Sequence, residues 1–176
     1  MEGEPVEIER VYLLDRLPDL PVDAVTLEIE QGYLPDREVS LAAGWGGPFL
    51  EGRIRRTVDS EGMVRRFHTI KEGAGLIRRE VERQLTEEEF GDAWPLTAGR
   101  RIRKTRHRVR EGDLTWEIDW FRDLDLVMAE VELPVAELQI VLPDWLAPHV
   151  LRDLTYEPRY RNYALATLGM PSDHPG

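Results

Sequence analysis

At 176 residues, 41% of them hydrophobic and 32% charged, the chain can build one domain with a real core but not two ordinary ones, so a single domain over 1–176 is expected. No window approaches the roughly 18 apolar residues of a membrane span, and the acidic N-terminus lacks the basic and apolar regions of a secretory signal, so no membrane partner and a cytoplasmic location are expected. The absence of cysteine excludes disulfides and thiolate metal sites, and the net charge of −11 argues against a nucleic-acid polymer as partner.

The first patterned stretch, VEIERVYLL, reads as a strand over 5–14 with Glu7 and Glu9 on one face, because successive side chains of a strand point to opposite sides. Strands follow over 24–33 and 37–43, then a GWGGPF loop, then strands over 51–58 and 63–71. Arg53 and Arg55 share one face of the former, Thr69 and Lys71 one face of the latter. A strand over 78–85 aligns Arg78, Glu80 and Glu82, and the cap-like Thr86 opens a short helix over 86–91. The strand over 100–109 aligns Lys104, Arg106 and Arg108. After an EGD turn, 114–121 pairs Glu117 with Asp119, and 126–133 pairs Glu130 with Glu132. A turn around 134–140 and a helical signal over 147–167, broken by Pro158, complete the chain.

A meander of this kind predicts an α+β fold, an antiparallel, closed or nearly closed eight-stranded β-tunnel with a few flanking helices. The ionic faces of its strands have two readings. They could look outward, since antiparallel sheets are commonly wet on one face. But exposed faces usually mix Thr, Ser, Gln and Lys, whereas six strands here repeat acidic or basic pairs at a two-residue step. The alternative is an ionic interior. Residues 53 to 110 carry 16 of the 23 basic residues against 9 acidic ones, so the middle of the chain suits anions and its flanks suit cations. Only Lys71 and Lys104 among those bases are lysines.

Adjacent carboxylates repel and raise one another's pKa, a cost that a cation removes. Oxygen ligands without cysteine suit a hard ion, Mg²⁺ or Mn²⁺. Arginine and lysine suit phosphate oxygens. Together they describe a site for a metal-bound polyphosphate, where positioning and charge neutralisation carry most of the chemistry.

The ordered segments EIER, IEQGYL, GRIRRT, TIKEG, RREVE, RIRKTRH, WEIDWF, AEVEL, PDWL and LTYEPRYRNYALA resemble the CYTH superfamily, the triphosphate tunnel metalloenzymes that include inorganic triphosphatases, thiamine triphosphatase and class IV adenylate cyclases. The resemblance runs nearly end to end and implies an antiparallel tunnel with a polar interior. It implies that Glu7, Glu9, Glu80, Asp119, Glu130 and Glu132 hold metal, and that Arg53, Arg55, Lys71, Lys104 and Arg106 hold phosphate. Glu7, Glu9, Lys71 and Arg159 are the implied catalytic residues, with Arg159 closing one tunnel end. Val11 stands where the ExExK signature of that superfamily has its lysine. The expected function is metal-dependent hydrolysis of inorganic triphosphate or a related triphosphate. The alternatives are an adenylate cyclase and a noncatalytic polyphosphate- or nucleotide-binding module.

Other charged and aromatic residues carry plainer expectations. Arg56, Arg65, Arg66, Arg103 and Arg110 are read as outer-face charges, and Glu117 as a partner for an arginine. His68, His107, His149 and His174 lack ligand spacing, and the five tryptophans read as packing residues.

Overall fold

The computed structural model describes residues 6–35, 51–73 and 75–175; the predicted 37–43 strand and the GWGGPF loop lie outside them. The strands are β1 (Val6–Leu14), β2 (Val25–Tyr33), β3 (Glu51–Asp59), β4 (Val64–Glu72), β5 (Ile77–Gln84), β6 (Arg101–Glu111), β7 (Leu114–Phe121), β8 (Val127–Glu132) and the short β9 (Val150–Asp153). The helices are α1 (Glu87–Ala93) and α2 (Asn162–Leu168). Each strand foreseen in the described residues begins and ends within two residues of its expected bounds. The Thr86 hydroxyl accepts from Glu89 N–H and the Glu89 carboxylate accepts from Thr86 N–H, a reciprocal capping box that fixes the start of α1.

All pairings are antiparallel, in the order β5-β4-β3-β2-β6-β7-β8-β1, and β5 returns to β1 to close an eight-stranded barrel. The free edge of β1 is divided. Val6, Glu7 and Ile8 pair with β5, Glu9 N–H donates to Leu76 O, and Tyr12 to Leu14 pair with β9. The helical reading of 147–167 is therefore corrected. Only α2 is α-helical; Val150–Asp153 instead satisfies the open edge of β1, and short 3-10 turns containing Pro148 and Pro158 flank it. An unpaired strand edge overrode a weak local helical signal.

The barrel's inward faces change character along its axis. Leu13, Ile102, Phe121 and Met128 pack at one end with Leu154, Tyr160 and Leu165. Two residues further along the same strand faces stand Val11, Lys104, Asp119 and Glu130, and two further Glu9, Arg106, Glu117 and Glu132. One end is thus an apolar plug and the rest of the bore is ionic. The outward faces are covered separately. Tyr12, Trp116, Ile118 and Val131 pack under Leu146 and the segments flanking β1 and β9, and Ile54 and Ile70 pack under Phe90 of α1. No helix among the described residues is long and apolar enough to cross a membrane.

Candidate active site

The ionic part of the bore encloses a cavity of about 430 Å³. Its acidic side is built by β1, β5 and β8, which present Glu7, Glu9, Glu80, Glu130 and Glu132. The register makes Glu9 the cross-strand partner of Glu132 and sets Val11 opposite Glu130. Its basic side is built by β3, β4 and β6, which present Arg53, Arg55, Lys71 and Arg106. Alternation along a strand, with both residues of each pair two apart, is what turns each charged pair inward together.

The two sides hold each other. Lys71 Nζ lies 2.5 Å from Glu7 and 2.7 Å from Glu80. Arg55 reaches Glu82 at 3.1 Å, and Arg53 donates to the Thr69 hydroxyl at 3.2 Å. Arg106 donates to Asp119 through Nε at 2.6 Å and Nη2 at 2.7 Å, to Glu130 at 2.7 Å, and to Glu117. Asp119 also accepts from Lys104, whose ammonium donates in turn to Asn162 Oδ1 at 3.2 Å. Glu117 is shared by Arg106 and Arg108, the arginine partnership expected for it.

Burial and charge act on these groups in opposite senses. Burial alone would push Glu7 up, but the Lys71 ammonium beside it brings its carboxyl down to about 2. Asp119 likewise resists burial and is brought down to about 2 by Arg106 and Lys104. Glu9 goes the other way: burial, then the neighbouring Glu130, push it up to about 8. Glu132 is raised by burial and by Glu7, Glu80 and Glu117. Burial lowers Arg55 to about 10, with Arg53 adding to the effect.

Of the residues singled out from sequence, Glu7, Glu9, Glu80, Glu130, Glu132, Arg53, Arg55, Lys71 and Arg106 all line the one cavity. Lys104 and Asp119 lie directly beneath it, 1% and 0% exposed, as a paired floor. Arg159 is not brought in. The Pro158–Tyr160 turn buries Tyr160, so Arg159 is turned outward, its side chain 48% exposed and paired with Asp173 and Glu157. Arg65, expected on the outer face, instead lines the cavity beside Phe67, in step with Lys71 and Thr69 on β4. Arg56, Arg66 and Arg103 do pair on the outside, with Glu30, Glu87 and Asp123.

Further lining residues carried little sequence signal. Tyr33 is buried at the closed end, where its hydroxyl accepts from Gln31. Arg78 is held by Glu51 at 2.7 Å. Arg161 and Asn162 enter from the segment after β9. Arg78 could have been found from its phase with Glu80 and Glu82. Arg161 and Asn162 could not, because their direction depends on the turn that precedes them.

No protein-family profile matches the chain. It is 35% identical over 166 residues to an inorganic triphosphatase of Nitrosomonas europaea, covering 91% of this chain and 96% of that one. It is 28% identical over 144 residues to an inorganic triphosphatase of Acetivibrio thermocellus, covering 77% and 90%. Among solved structures, the inorganic triphosphatase NE1496 superposes with a TM-score of 0.57 at 31% identity, covering 92% of this chain and 94% of that one. The PH1819 protein of Pyrococcus horikoshii OT3 shares the fold at 19% identity, with a TM-score of 0.51 over 81% and 82% of the two chains. With more than a third of positions identical across almost the whole length, the chain belongs to the CYTH superfamily of triphosphate tunnel metalloenzymes, in one family with these inorganic triphosphatases.

Proposed function

We propose that the protein hydrolyses inorganic triphosphate inside this cavity, with Mg²⁺ or Mn²⁺ as cofactor. One observation carries the reading: in a single bore, carboxylates on β1, β5 and β8 stand against arginine and lysine on β3, β4 and β6. An anion and its counter-cation could occupy such a space together. The names of the two curated relatives support the choice of triphosphate.

The donor set fits a hard dication. It consists of carboxylate oxygens, with no histidine among the cavity-lining residues and no cysteine in the chain. Among the described residues no three acidic or histidine side chains converge ready to hold an ion. Lys71 draws Glu7 and Glu80 away, and Arg106 draws Glu130. Glu9 and Glu132, cross-strand partners, form no ion pair among the described residues, and Glu7, Glu80 and Glu130 would complete the donor set with them. A cation held there would supply polarisation of the phosphoryl oxygens and charge neutralisation.

The chain's own contribution is positioning. Arg53, Arg55, Lys71 and Arg106 hold the phosphate chain in line for attack by water on a terminal phosphorus. Asp119, itself held by Lys104, fixes the Arg106 guanidinium from below, so Asp119 acts through Arg106 in this reading and Arg159 has no part in it. The test is phosphate release from inorganic triphosphate, with and without chelator, beside ATP and thiamine triphosphate. Metal-dependent release from triphosphate is expected. Cyclic AMP formed from ATP, or binding of triphosphate without turnover under any metal, would overturn the reading in favour of a cyclase or a binding module.

A further inference from the structure

We propose that Arg65 and Arg108 form an outer phosphate subsite at the open mouth of the cavity, through which the site takes linear inorganic polyphosphates longer than triphosphate. The proposal rests on the triphosphatase reading above and extends its substrate class.

Inward-facing side chains run on past the four bases assigned to triphosphate. Away from Tyr33 at the closed end, β3 turns Arg53, Arg55 and Thr57 into the bore, and their cross-strand partners on β4 are Thr69, Phe67 and Arg65. On β6 the run is Lys104 beneath the cavity, then Arg106, then Arg108. Two residues of strand advance about 6–7 Å, so Arg108 stands at least one phosphate unit outside Arg106. Exposure marks the same boundary. The side chains of Arg53, Arg55, Lys71 and Arg106 are between 10% and 18% exposed, whereas that of Arg108 is 48% exposed and Arg65 is exposed too.

The outer pair is also the less committed one. Each of the four inner bases is engaged by a carboxylate of the bore. Arg65 lines the same cavity and makes no hydrogen bond or ion pair among the described residues. Arg108 meets Glu117 through Nε at 3.2 Å, and Glu117 is shared with Arg106. A guanidinium has five N–H donors, so Arg108 has donors to spare. A solvated arginine at a strand end needs no ligand. What calls for one here is direction, since the strand period turns both side chains into a cavity of about 430 Å³. That volume lies in the range of about 300–1,000 Å³ that takes drug-sized ligands, more than three phosphates need. The lining selects the chemistry. Phe67 already carries the Arg55 guanidinium 5.4 Å from its ring centre, and its neighbours Thr57 and Leu27 are not aromatic. The mouth therefore presents cations and not an open ring face, which favours further phosphate over a flat organic group.

Hydrolysis keeps the course proposed above. The oxygen of water bonds to the terminal phosphorus, the bridging P–O bond breaks, its electron pair leaves with the shortened chain, and the proton of water goes to solvent. Linear tetraphosphate thus yields orthophosphate and triphosphate, itself the next substrate.

Affinities for triphosphate and linear tetraphosphate are measured by calorimetry with chelator present, and kcat/KM for both with Mg²⁺, in wild type, Arg65→Gln, Arg108→Gln and the double variant. Wild type should bind tetraphosphate about tenfold more tightly than triphosphate, the worth of one charge-assisted hydrogen bond. Arg65→Gln, which breaks no contact of the fold, should cut that preference to about threefold. The double variant should abolish it, in affinity and in kcat/KM alike. Equal affinity for the two chains in wild type would overturn the proposal. So would an unchanged preference in the double variant, or the same loss against both chains, the mark of charge that acts only on approach. Wild-type protein that binds both chains but releases phosphate from neither would sink the triphosphatase reading, and the outer subsite would still be decided by the two affinities.

Discussion

Glu9 and Glu132 are direct cross-strand partners between β1 and β8, and both side chains line the cavity. Like charges set opposite each other in an antiparallel pair destabilise the sheet, and burial drives Glu9 up to about 8, so near neutral pH Glu9 holds a proton in the protein itself. A dication that takes up this pair must displace that proton. Titration of Mg²⁺ or Mn²⁺ by calorimetry in buffers of different ionisation enthalpy should therefore report proton release at pH 6.5 to 7.5, with affinity rising toward pH 8. Glu9→Gln should abolish the release. A pH-independent metal affinity would remove Glu9 from the metal site.

Lys71 bridges Glu7 and Glu80, which come from different strands that meet where the barrel closes. Removing one partner of a buried ion pair leaves uncompensated charge and costs about 3 kcal/mol or more. Lys71→Met should lower stability to urea by that order and raise the triphosphate KM. Adding Glu80→Gln should recover about 1–2 kcal/mol of stability without recovering KM. Recovery of both would mean that Lys71 serves the barrel and not the substrate.

Asp119 and Glu132 share an expected metal-binding role, and their surroundings differ. Asp119 is fully buried beneath the cavity and accepts from both Arg106 and Lys104, while Glu132 stands in the cavity with no ion pair among the described residues. Asp119→Asn should destabilise the fold by about 3–5 kcal/mol, because buried Lys104 loses its counter-charge and Arg106 loses one of its three. Glu132→Gln should change stability by less than about 1 kcal/mol and weaken metal binding roughly tenfold or more. Urea denaturation beside metal titration of both variants checks the split. Equal stability losses would refute it.

The charged interior was legible because a β-strand has a period of two: once GRIRRT and WEIDWF are strands, Arg53 with Arg55 and Glu117 with Asp119 must share a face. The repetition of that pattern on strand after strand pointed to an ionic interior while leaving the outward-facing reading open. Periodicity could not say how deep each residue sits. Lys104 and Arg106 look alike in RIRKTRH, yet the stagger of the barrel puts Lys104 against the apolar plug at Phe121 and Arg106 in the cavity. Nor could it orient the segment after β9. Arg159 and Arg161 are two apart in EPRYRN, but a 3-10 turn and not a strand carries the first, and Tyr160 packing into the core sends Arg159 to solvent. The strand at 150–153 was missed because its cause is the open edge of β1, which lies far away in sequence.

The carboxylates of this cavity predict a stability profile with two flanks. Glu7 and Asp119 are brought down to about 2 from ordinary values of 4.5 and 3.8, so each binds fewer protons folded than unfolded around pH 4. Their stabilisation is present above those ordinary values and is lost as pH falls through them toward 2. Glu9, raised from 4.5 to about 8, has the opposite sign: it binds more protons folded than unfolded, so its contribution is complete below 4.5 and is lost as pH rises toward 8. Without added metal, Tm should therefore be highest near pH 5, fall steeply below pH 4, and fall more gently between pH 6 and 8.5. Glu9→Gln should flatten the alkaline flank and leave the acid flank in place, whereas Asp119→Asn should flatten part of the acid flank. Thermal unfolding across pH 2.5 to 8.5 for the three proteins measures both. A wild-type Tm that climbs steadily from pH 5 to 8.5 would show that Glu9 ionises like an ordinary carboxylate and holds no proton for a cation to displace.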